Sequence, residues 1–130
     1  MILLDTSAWI EFLRDTGSPV CRRVDHLLGS EIASCDPVRM EVLAGARSES
    51  HVRDLRGLLA RTVTLEVTSA HYELAATLYR SARQQGLNVR RLTDCLIAAV
   101  AITHGVPILH ADRDFDALAQ VSDLVIDPAE

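Results

Sequence analysis

Acidic side chains follow several apolar segments of this sequence at the point where a strand would give way to a helix. Asp5 ends the run ILLD, and Asp112, Asp114 and Asp116 follow directly on GVPIL in the segment LHADRDFDAL. Carboxylates crowded in this way repel one another, and their oxygens are the ligands that hard cations such as Mg²⁺ and Mn²⁺ prefer. The pattern therefore predicts a metal site if the fold brings these acids together.

Two further acids occupy comparable positions in the chain. Asp94 lies near the start of the helical segment TDCLIAAVAITHG, and Glu41 lies about one turn into DPVRMEVLAG. If the first and fourth strands are neighbours, Asp5, Asp112 and these two acids converge on one edge of a sheet. Helix N-termini favour a carboxylate by only roughly 0.3–1 kcal/mol at an exposed site, which does not offset four like charges. One or two divalent cations would supply the missing charge, generate a hydroxide nucleophile and clamp a phosphodiester for in-line displacement.

Alternating strands and helices are expected to position these acids. Short apolar runs predict strands at ILLD, IASC, TVTLEV, PIL and DLVI, the last after a short helix. Helices are predicted at TSAWIEFLR with Thr6 or Ser7 as cap, SPVCRRVDHLLG, DPVRMEVLAG with Asp36 as cap, near His51 to Leu59, from Ser69 to Gln85, and at TDCLIAAVAITHG. This order favours a parallel sheet with helices on both faces, which binds ligands beyond the carboxyl ends of its strands.

Length and composition are those of one globular domain. The chain has 130 residues, of which 48% are hydrophobic and 24% are charged. The apolar run CLIAAVAI is too short to span a membrane, and MILLDTSAW has no basic n-region, so a cytoplasmic protein without membrane association is expected. Cys21, Cys35 and Cys95 are odd in number and widely spaced, which predicts reduced buried thiols rather than disulfides or a zinc site.

The charge balance restricts how the protein would bind nucleic acid. The net charge is −5, and all 13 basic residues are arginines. An acidic protein does not bind nucleic acid indiscriminately, but a local arginine patch remains compatible with this charge.

Two other kinds of acidic site conflict with particular residues. An EF-hand calcium loop in DRDFDALAQVSD needs glycine at its sixth position and glutamate at its twelfth, where this chain has Ala117 and Asp123. Receiver domains and haloacid-dehalogenase-type phosphatases also place acids at strand ends, but both use a lysine near the phosphoryl group. The sequence contains no lysine, which argues against both.

Four segments together resemble the ordered motifs of PIN-domain ribonucleases, specifically the VapC toxins: MILLDTSAW, CDPVRMEVLAG, RLTDCLIAAVAITHG and PILHADRDFDALA. The resemblance runs from the first residue to about Val125. It implies a single PIN domain over residues 1–130, with an α/β fold of three α/β/α layers around a mainly parallel sheet of about four to five strands. It also implies a Mg²⁺-dependent endoribonuclease, with Mn²⁺ as a substitute, that acts as the toxin of a type II toxin–antitoxin system.

The resemblance implies roles for the acids and partners for the protein. The implied catalytic group is Asp5, Glu41, Asp94, Asp112 and Asp114. The resemblance implies that the metal is held by Asp5, Glu41, Asp94 and Asp112, of which Asp5, Asp94 and Asp112 are the principal ligands and Glu41 contributes directly or through water. Asp114 assists, and whether Asp112 or Asp114 is the fourth acid stays open. The implied partners are an RNA substrate, a VapB-type antitoxin and a second copy of this chain in a homodimer.

Residues near the acids are further candidates. By the resemblance, Thr6 or Ser7 helps to hold the first acid or a water, and both are candidate substrate contacts. Arg90 and Arg91 precede the acid at position 94 and are candidate contacts to RNA phosphates. The family also suggests that apolar surface near the active site receives the antitoxin, and Trp9 is a candidate for that surface. The alternative function is a PIN-like scaffold that binds RNA or a protein without cutting, although such a scaffold would typically lose one or more acids.

Overall fold

A four-stranded parallel sheet organises the chain. The computed structural model describes residues 1–129. The strands are β1 (Ile2–Leu4), β2 (Ile32–Ser34), β3 (Val63–Thr64) and β4 (Ile108–Leu109), and they lie in the order β3-β2-β1-β4. Leu3 of β1 pairs with Ala33 on one side and Ile108 on the other, and all three are fully buried. The first and fourth strands are therefore neighbours.

Helices surround this sheet. Within residues 1–129 they are α1 (Thr6–Leu13), α2 (Pro19–Leu27), α3 (Asp36–Ala44), α4 (Glu49–Leu59), α5 (Ser69–Gln84), α6 (Leu92–His104) and α7 (Arg113–Gln120). Helix α6 packs against α5, and α1 packs against α2 and α3. Every residue of α6 from Asp94 to Ala101 is buried, as its continuous apolar pattern predicts. The predicted three-layer α/β/α class is confirmed.

Two helix starts differ from the sequence-based expectation. Helix α1 is capped by Asp5, whose side chain accepts a hydrogen bond from the backbone N–H of Ser7 at 2.9 Å. The predicted caps Thr6 and Ser7 are instead the first two residues of the helix. Helix α3 already begins at Asp36, and Cys35 holds the cap position without a side-chain bond. The carboxylate of the residue directly after β1 thus caps α1.

Two predicted strands are shorter than their apolar runs. From TVTLEV only Val63 and Thr64 join the sheet, since the partner strand β2 has three residues and α3 begins soon after it. From DLVI only Ile126 makes an isolated bridge, to Ile108, because β4 offers two residues and Pro128 cannot donate a further hydrogen bond. The sheet therefore has four strands and one bridge.

Further contacts close the fold around its ends. Arg23 of α2 donates to both carboxylate oxygens of Asp127, at 3.1 and 2.9 Å, and so attaches the C-terminal segment to α2. Gly105 adopts φ +65° and ends α6 in the left-handed conformation that glycine tolerates best, which turns the chain toward β4. In the part of the chain that the structure describes, helices are too short or too polar to cross a membrane.

Candidate active site

The carboxylates meet beyond the adjacent ends of β1 and β4. The backbone N–H of Asp5 donates to the carbonyl of Leu109, the last residue of β4, at 3.0 Å. Asp112 caps α7, Asp114 lies in the first turn of α7, and Asp94 lies in the first turn of α6. Ligand oxygens of these last three acids all lie within 4.8 Å of one another. The fold thus gathers acids that are far apart in sequence.

Asp5 carries an unpaired buried oxygen. Its Oδ2 accepts hydrogen bonds from the backbone N–H and the hydroxyl of Ser7, but its Oδ1 is buried and has no hydrogen-bond partner within residues 1–129. Burial raises the pKa of Asp5, and the charge of Glu41 raises it further, while the bonds from Ser7 act in the opposite direction. An unpaired buried carboxylate oxygen is costly, and a cation would satisfy it.

Asp94 is the acid whose ionisation is most clearly opposed. Burial raises its pKa from 3.8 to about 7, and the negative charge of Asp5 is the next largest cause. The nearby guanidinium of Arg91 lowers it only in part. Asp5 lies outside the set of oxygens within 4.8 Å, although its charge contributes to the raised pKa of Asp94. A bound cation would favour the ionised form of this carboxylate, which burial and the neighbouring acids disfavour.

Asp112 has the opposite balance. Burial would raise its pKa, but the backbone N–H of Asp114 and the guanidiniums of Arg90 and Arg91 outweigh burial and lower it. That N–H donates to Oδ1 of Asp112 at 3.0 Å. Asp112 is therefore held in its ionised, ligand-competent form. Asp112 and Asp114 both belong to the cluster, so the structure leaves either of them available as the fourth acid.

Two arginines of the chain itself cover the acidic cluster. Arg90 donates from Nη2 to Asp112 at 2.9 Å and from Nε to Asp114 at 3.0 Å. Arg91 donates from Nη2 to the other oxygen of Asp112 at 2.9 Å and from Nε to Asp94 at 3.4 Å. The sequence suggests phosphate contacts for these arginines, and only the three-residue spacing of Arg91 and Asp94 hints at pairing within the chain. The other pairs join residues more than 20 positions apart.

Glu41, Thr6 and Ser7 form the side of the site next to β1. The hydroxyl of Thr6 donates to Oε1 of Glu41 at 2.7 Å. The Oγ of Ser7 donates to Asp5 and accepts from the backbone N–H of Ala111 at 2.9 Å, and so it connects α1 to the loop after β4. The bond to Ala111 has no signal in the sequence. Glu41 lies outside the three-acid cluster, although its charge raises the pKa of Asp5 and Asp94.

The prediction that Trp9 belongs to a partner surface is wrong. Its side chain is fully buried and packs edge-on against Phe12, because α1 turns this face toward the core. Ile10 and Leu13 are the large apolar residues of α1 that face solvent. They line a cavity of about 290 Å³ that also reaches Glu41.

The donor set fits a divalent cation. Asp94, Asp112 and Asp114 offer carboxylate oxygens alone, which is the set that hard divalent cations prefer. The unpaired Oδ1 of Asp5 and the raised pKa of Asp94 both mark negative charge that the protein compensates incompletely. The cysteines are free and buried, and burial raises the pKa of Cys35 and of Cys95 to about 11, so these two thiols do not compete as thiolate ligands.

Comparison with known proteins identifies the family. A family model described as PIN domain matches residues 2–121. The chain belongs to the PIN domain family. Within this PIN family it is similar to Ribonuclease VapC11 of Mycobacterium tuberculosis, with 45% identity over 128 residues that cover 95% of this chain and 96% of that protein. The predicted family and enzyme class are thereby confirmed.

Solved structures share the fold. VapBC-1 from nontypeable Haemophilus influenzae superposes with a TM-score of 0.78 at 19% identity, covering 99% of this chain and 98% of that chain. VapBC-5 from Mycobacterium tuberculosis, a member of the VapBC family of toxin-antitoxin systems, superposes with a TM-score of 0.62 at 22% identity, covering 95% and 94%. The likeness extends over the whole sheet and its helices.

Proposed function

We propose that this protein is the toxin of a type II toxin–antitoxin pair and hydrolyses phosphodiester bonds of RNA with a divalent cation. One observation carries the proposal: carboxylate oxygens of Asp94, Asp112 and Asp114 converge within 4.8 Å of one another, beyond the adjacent ends of β1 and β4. They do so at the carboxyl edge of the sheet in a chain that resembles a VapC ribonuclease over nearly its whole length. A binding scaffold would not need to retain so costly a cluster.

Each residue has a proposed task. Asp5, Asp94 and Asp112 hold the cation, which we propose is Mg²⁺ with Mn²⁺ as a substitute because all donors are oxygens. When bound, the cation polarises the phosphodiester and activates water as the nucleophile. Ser7 orients Asp5 through its two hydrogen bonds. Asp114 lies within the same cluster and assists the other ligands.

Four other residues border the cluster. Thr6 orients Glu41, which contributes to cation binding directly or through a water molecule. Arg90 and Arg91 are the proposed contacts to RNA phosphates.

We further propose that the antitoxin binds beside the active site. The 290 Å³ cavity next to Glu41 combines the apolar side chains of Ile10, Leu13 and Leu55 with the cationic Arg14 and Arg47. An antitoxin segment that carries apolar and acidic side chains would complement this groove.

The proposal extends to assembly and location. A homodimer is part of the proposal, because the resemblance to the VapC toxins implies one. A cytoplasmic location is also part of the proposal, and it agrees with the free buried cysteines.

The first experiment is cleavage of pooled cellular RNA by the purified protein in Mg²⁺, in Mn²⁺ and in excess EDTA. Asp94→Asn removes a buried member of the cluster, so we expect it to lose cleavage while remaining folded. The matched control is Asp116→Asn, since Asp116 likewise lies in the first turn of a helix, α7, but its side chain is 62% exposed. Cation-dependent cutting by the wild type and the control, but not by Asp94→Asn, supports the enzyme. Equal cutting by all three well-folded proteins would refute it.

A further inference from the structure

Arg90 and Arg91 occupy the same oxygens that the proposed cation needs. Both oxygens of Asp112 accept a guanidinium N–H, and Asp94 and Asp114 each accept one as well. These three acids are the members of the cluster within 4.8 Å. A divalent cation and two guanidiniums on the same carboxylates would repel one another at close range. The arginine-paired arrangement and a cation-loaded arrangement therefore compete.

The arginines, rather than the acids, are free to move. The side chains of Arg90 and Arg91 are 52% and 54% exposed, and both residues lie between α5 and α6. The side chains of Asp94, Asp112 and Asp114 are 1%, 8% and 2% exposed and belong to helix starts. An exposed arginine can rotate into solvent without opening the core. Two guanidiniums also carry the same total charge as one divalent cation, so an exchange leaves the acids equally neutralised.

We infer that Arg90 and Arg91 exchange partners when the cation binds: they pair with the carboxylates in its absence and bind RNA phosphates in its presence. This inference rests on the proposed function. The arginines hold the cation-free site together by neutralising it. Once the carboxylates bind the cation, the guanidiniums are released at the rim of the same site, where the phosphate backbone of a substrate lies. Guanidinium groups bind phosphate through paired N–H donors as readily as they bind carboxylate.

The exchange makes cation binding and RNA binding mutually favourable. If the cation raises the affinity for RNA by a given factor, RNA raises the affinity for the cation by the same factor. Without a cation, RNA must break the arginine–carboxylate pairs before it gains the arginines. With a cation bound, the pairs are already broken. We therefore expect RNA affinity to rise on cation binding by about 5- to 150-fold, the usual range of such coupling.

The test separates this coupling from catalysis. Mg²⁺ binding is measured by calorimetry on the RNA-free wild type and on the double variant Arg90→Ala with Arg91→Ala. If the arginines compete with the cation, the variant binds Mg²⁺ about tenfold more tightly or better. Arg113→Ala is the matched control, because Arg113 begins α7 beside Asp112 but has no ion pair within residues 1–129. Thermal melting in saturating Mg²⁺ checks that each protein is folded.

RNA binding supplies the second readout. Fluorescence anisotropy of a labelled 20-nucleotide RNA of mixed sequence is measured with EDTA and with saturating Ca²⁺, and gels confirm that the RNA stays intact. We expect Ca²⁺ to strengthen binding to the wild type and to the Arg113→Ala control. In Ca²⁺ the double variant should bind RNA more weakly than either of these proteins, because it lacks the released guanidiniums. Tighter cation binding together with weaker RNA binding is a combination that simple loss of structure does not produce.

Each result has one meaning. Equal or weaker Mg²⁺ binding by the double variant, or RNA affinity of the wild type that does not change with Ca²⁺, overturns the exchange even if the enzyme cleaves RNA. The proposed function is instead overturned if the wild type binds no divalent cation, or if Asp94→Asn cleaves RNA as well as the wild type does.

Discussion

Asp94→Asn should make the cation-free protein more stable, although it should abolish activity. Asp94 is 1% exposed and its pKa is about 7 instead of 3.8, chiefly because of burial and then because of the charge of Asp5. Above pH 7 the folded protein therefore maintains an ionised carboxylate where ionisation is unfavourable. Asparagine has nearly the same shape and no charge, so the substitution removes this cost.

The size of the effect follows from the pKa. A rise from 3.8 to about 7 corresponds to roughly 4 kcal/mol as an upper limit, at about 1.4 kcal/mol per pH unit. The variant also loses the contact between Asp94 and the half-exposed Arg91, which is 3.4 Å long and worth less than about 1 kcal/mol. Solvent at the rim screens the remaining charges. We expect a net gain of about 1–3 kcal/mol in the free energy of unfolding at pH 8.

The raised pKa of Asp94 also determines how the stability difference between the variant and the wild type changes with pH. Below pH 3.8 Asp94 is protonated in both the folded and the unfolded chain, so the substitution brings no gain. Between pH 3.8 and 7 the unfolded chain has lost its proton while the folded chain retains it, and the cost of Asp94 grows. Above pH 7 the cost is constant. The advantage of the variant should therefore appear as pH rises through this window and level off above it.

Urea unfolding in EDTA between pH 4 and 8 measures this difference. Asp116→Asn is the control, and we expect it to stay within about 0.5 kcal/mol of the wild type because its carboxylate is exposed. Adding saturating Mg²⁺ should stabilise the wild type more than Asp94→Asn, since ligand binding to the folded state adds to stability. A variant that is less stable than the wild type at pH 8 without cation would contradict the claim that these acids repel one another.

Two further predictions concern the C-terminal segment and the groove. Arg23→Met should lower the free energy of unfolding by about 1–3 kcal/mol at pH 7, because it leaves the buried carboxylate of Asp127 without its counter-ion. Burial raises the pKa of Asp127, but the bonds from Arg23 outweigh burial and lower that pKa. In urea unfolding, the difference in free energy of unfolding between the wild type and the variant should therefore narrow below about pH 4. A loss of stability at pH 3 equal to that at pH 7 would contradict this account. Leu13→Glu, in the 43% exposed wall of the groove, should weaken capture of a co-expressed antitoxin and leave RNA cleavage unchanged; undiminished capture would place the antitoxin elsewhere.

The placement of the main acids was predictable because it follows from the sheet. A buried parallel strand leaves a clear apolar run, and a residue just past its end must lie at the carboxyl edge. Asp5 and Asp112 were located in this way, and the pairing of β1 with β4 then brought them together. Asp94 was predictable for a related reason, since the continuous apolar pattern of α6 buries the helix and takes its first turn into the core.

Three features depend on packing and were not predictable from spacing: the burial of Trp9, the length of β3 and the contacts between distant polar side chains. Trp9 lies on an amphipathic helix, and the sequence shows that one face is buried but not which apolar residues face solvent. The length of β3 depends on how far β2 extends before α3 begins. The pairing of Arg90 with Asp112 and Asp114 requires the loop before α6 to meet the start of α7, which is decided by packing across 22 and 24 residues.

The arginines explain how such a site can assemble before any cation binds. Arg90 reaches Asp112 and Asp114 at once, and Arg91 reaches Asp94 and Asp112, because the guanidinium group is a planar fork with several donors. Three of the four contacts join the start of α6 to the start of α7, and the fourth, between Arg91 and Asp94, lies within the start of α6, so the same groups that neutralise the acids also align them. A lysine at either position would supply the charge as a single centre and would span two carboxylates poorly. The cation thus meets carboxylates that are already gathered, and the guanidiniums it displaces remain at the rim where a phosphate would approach.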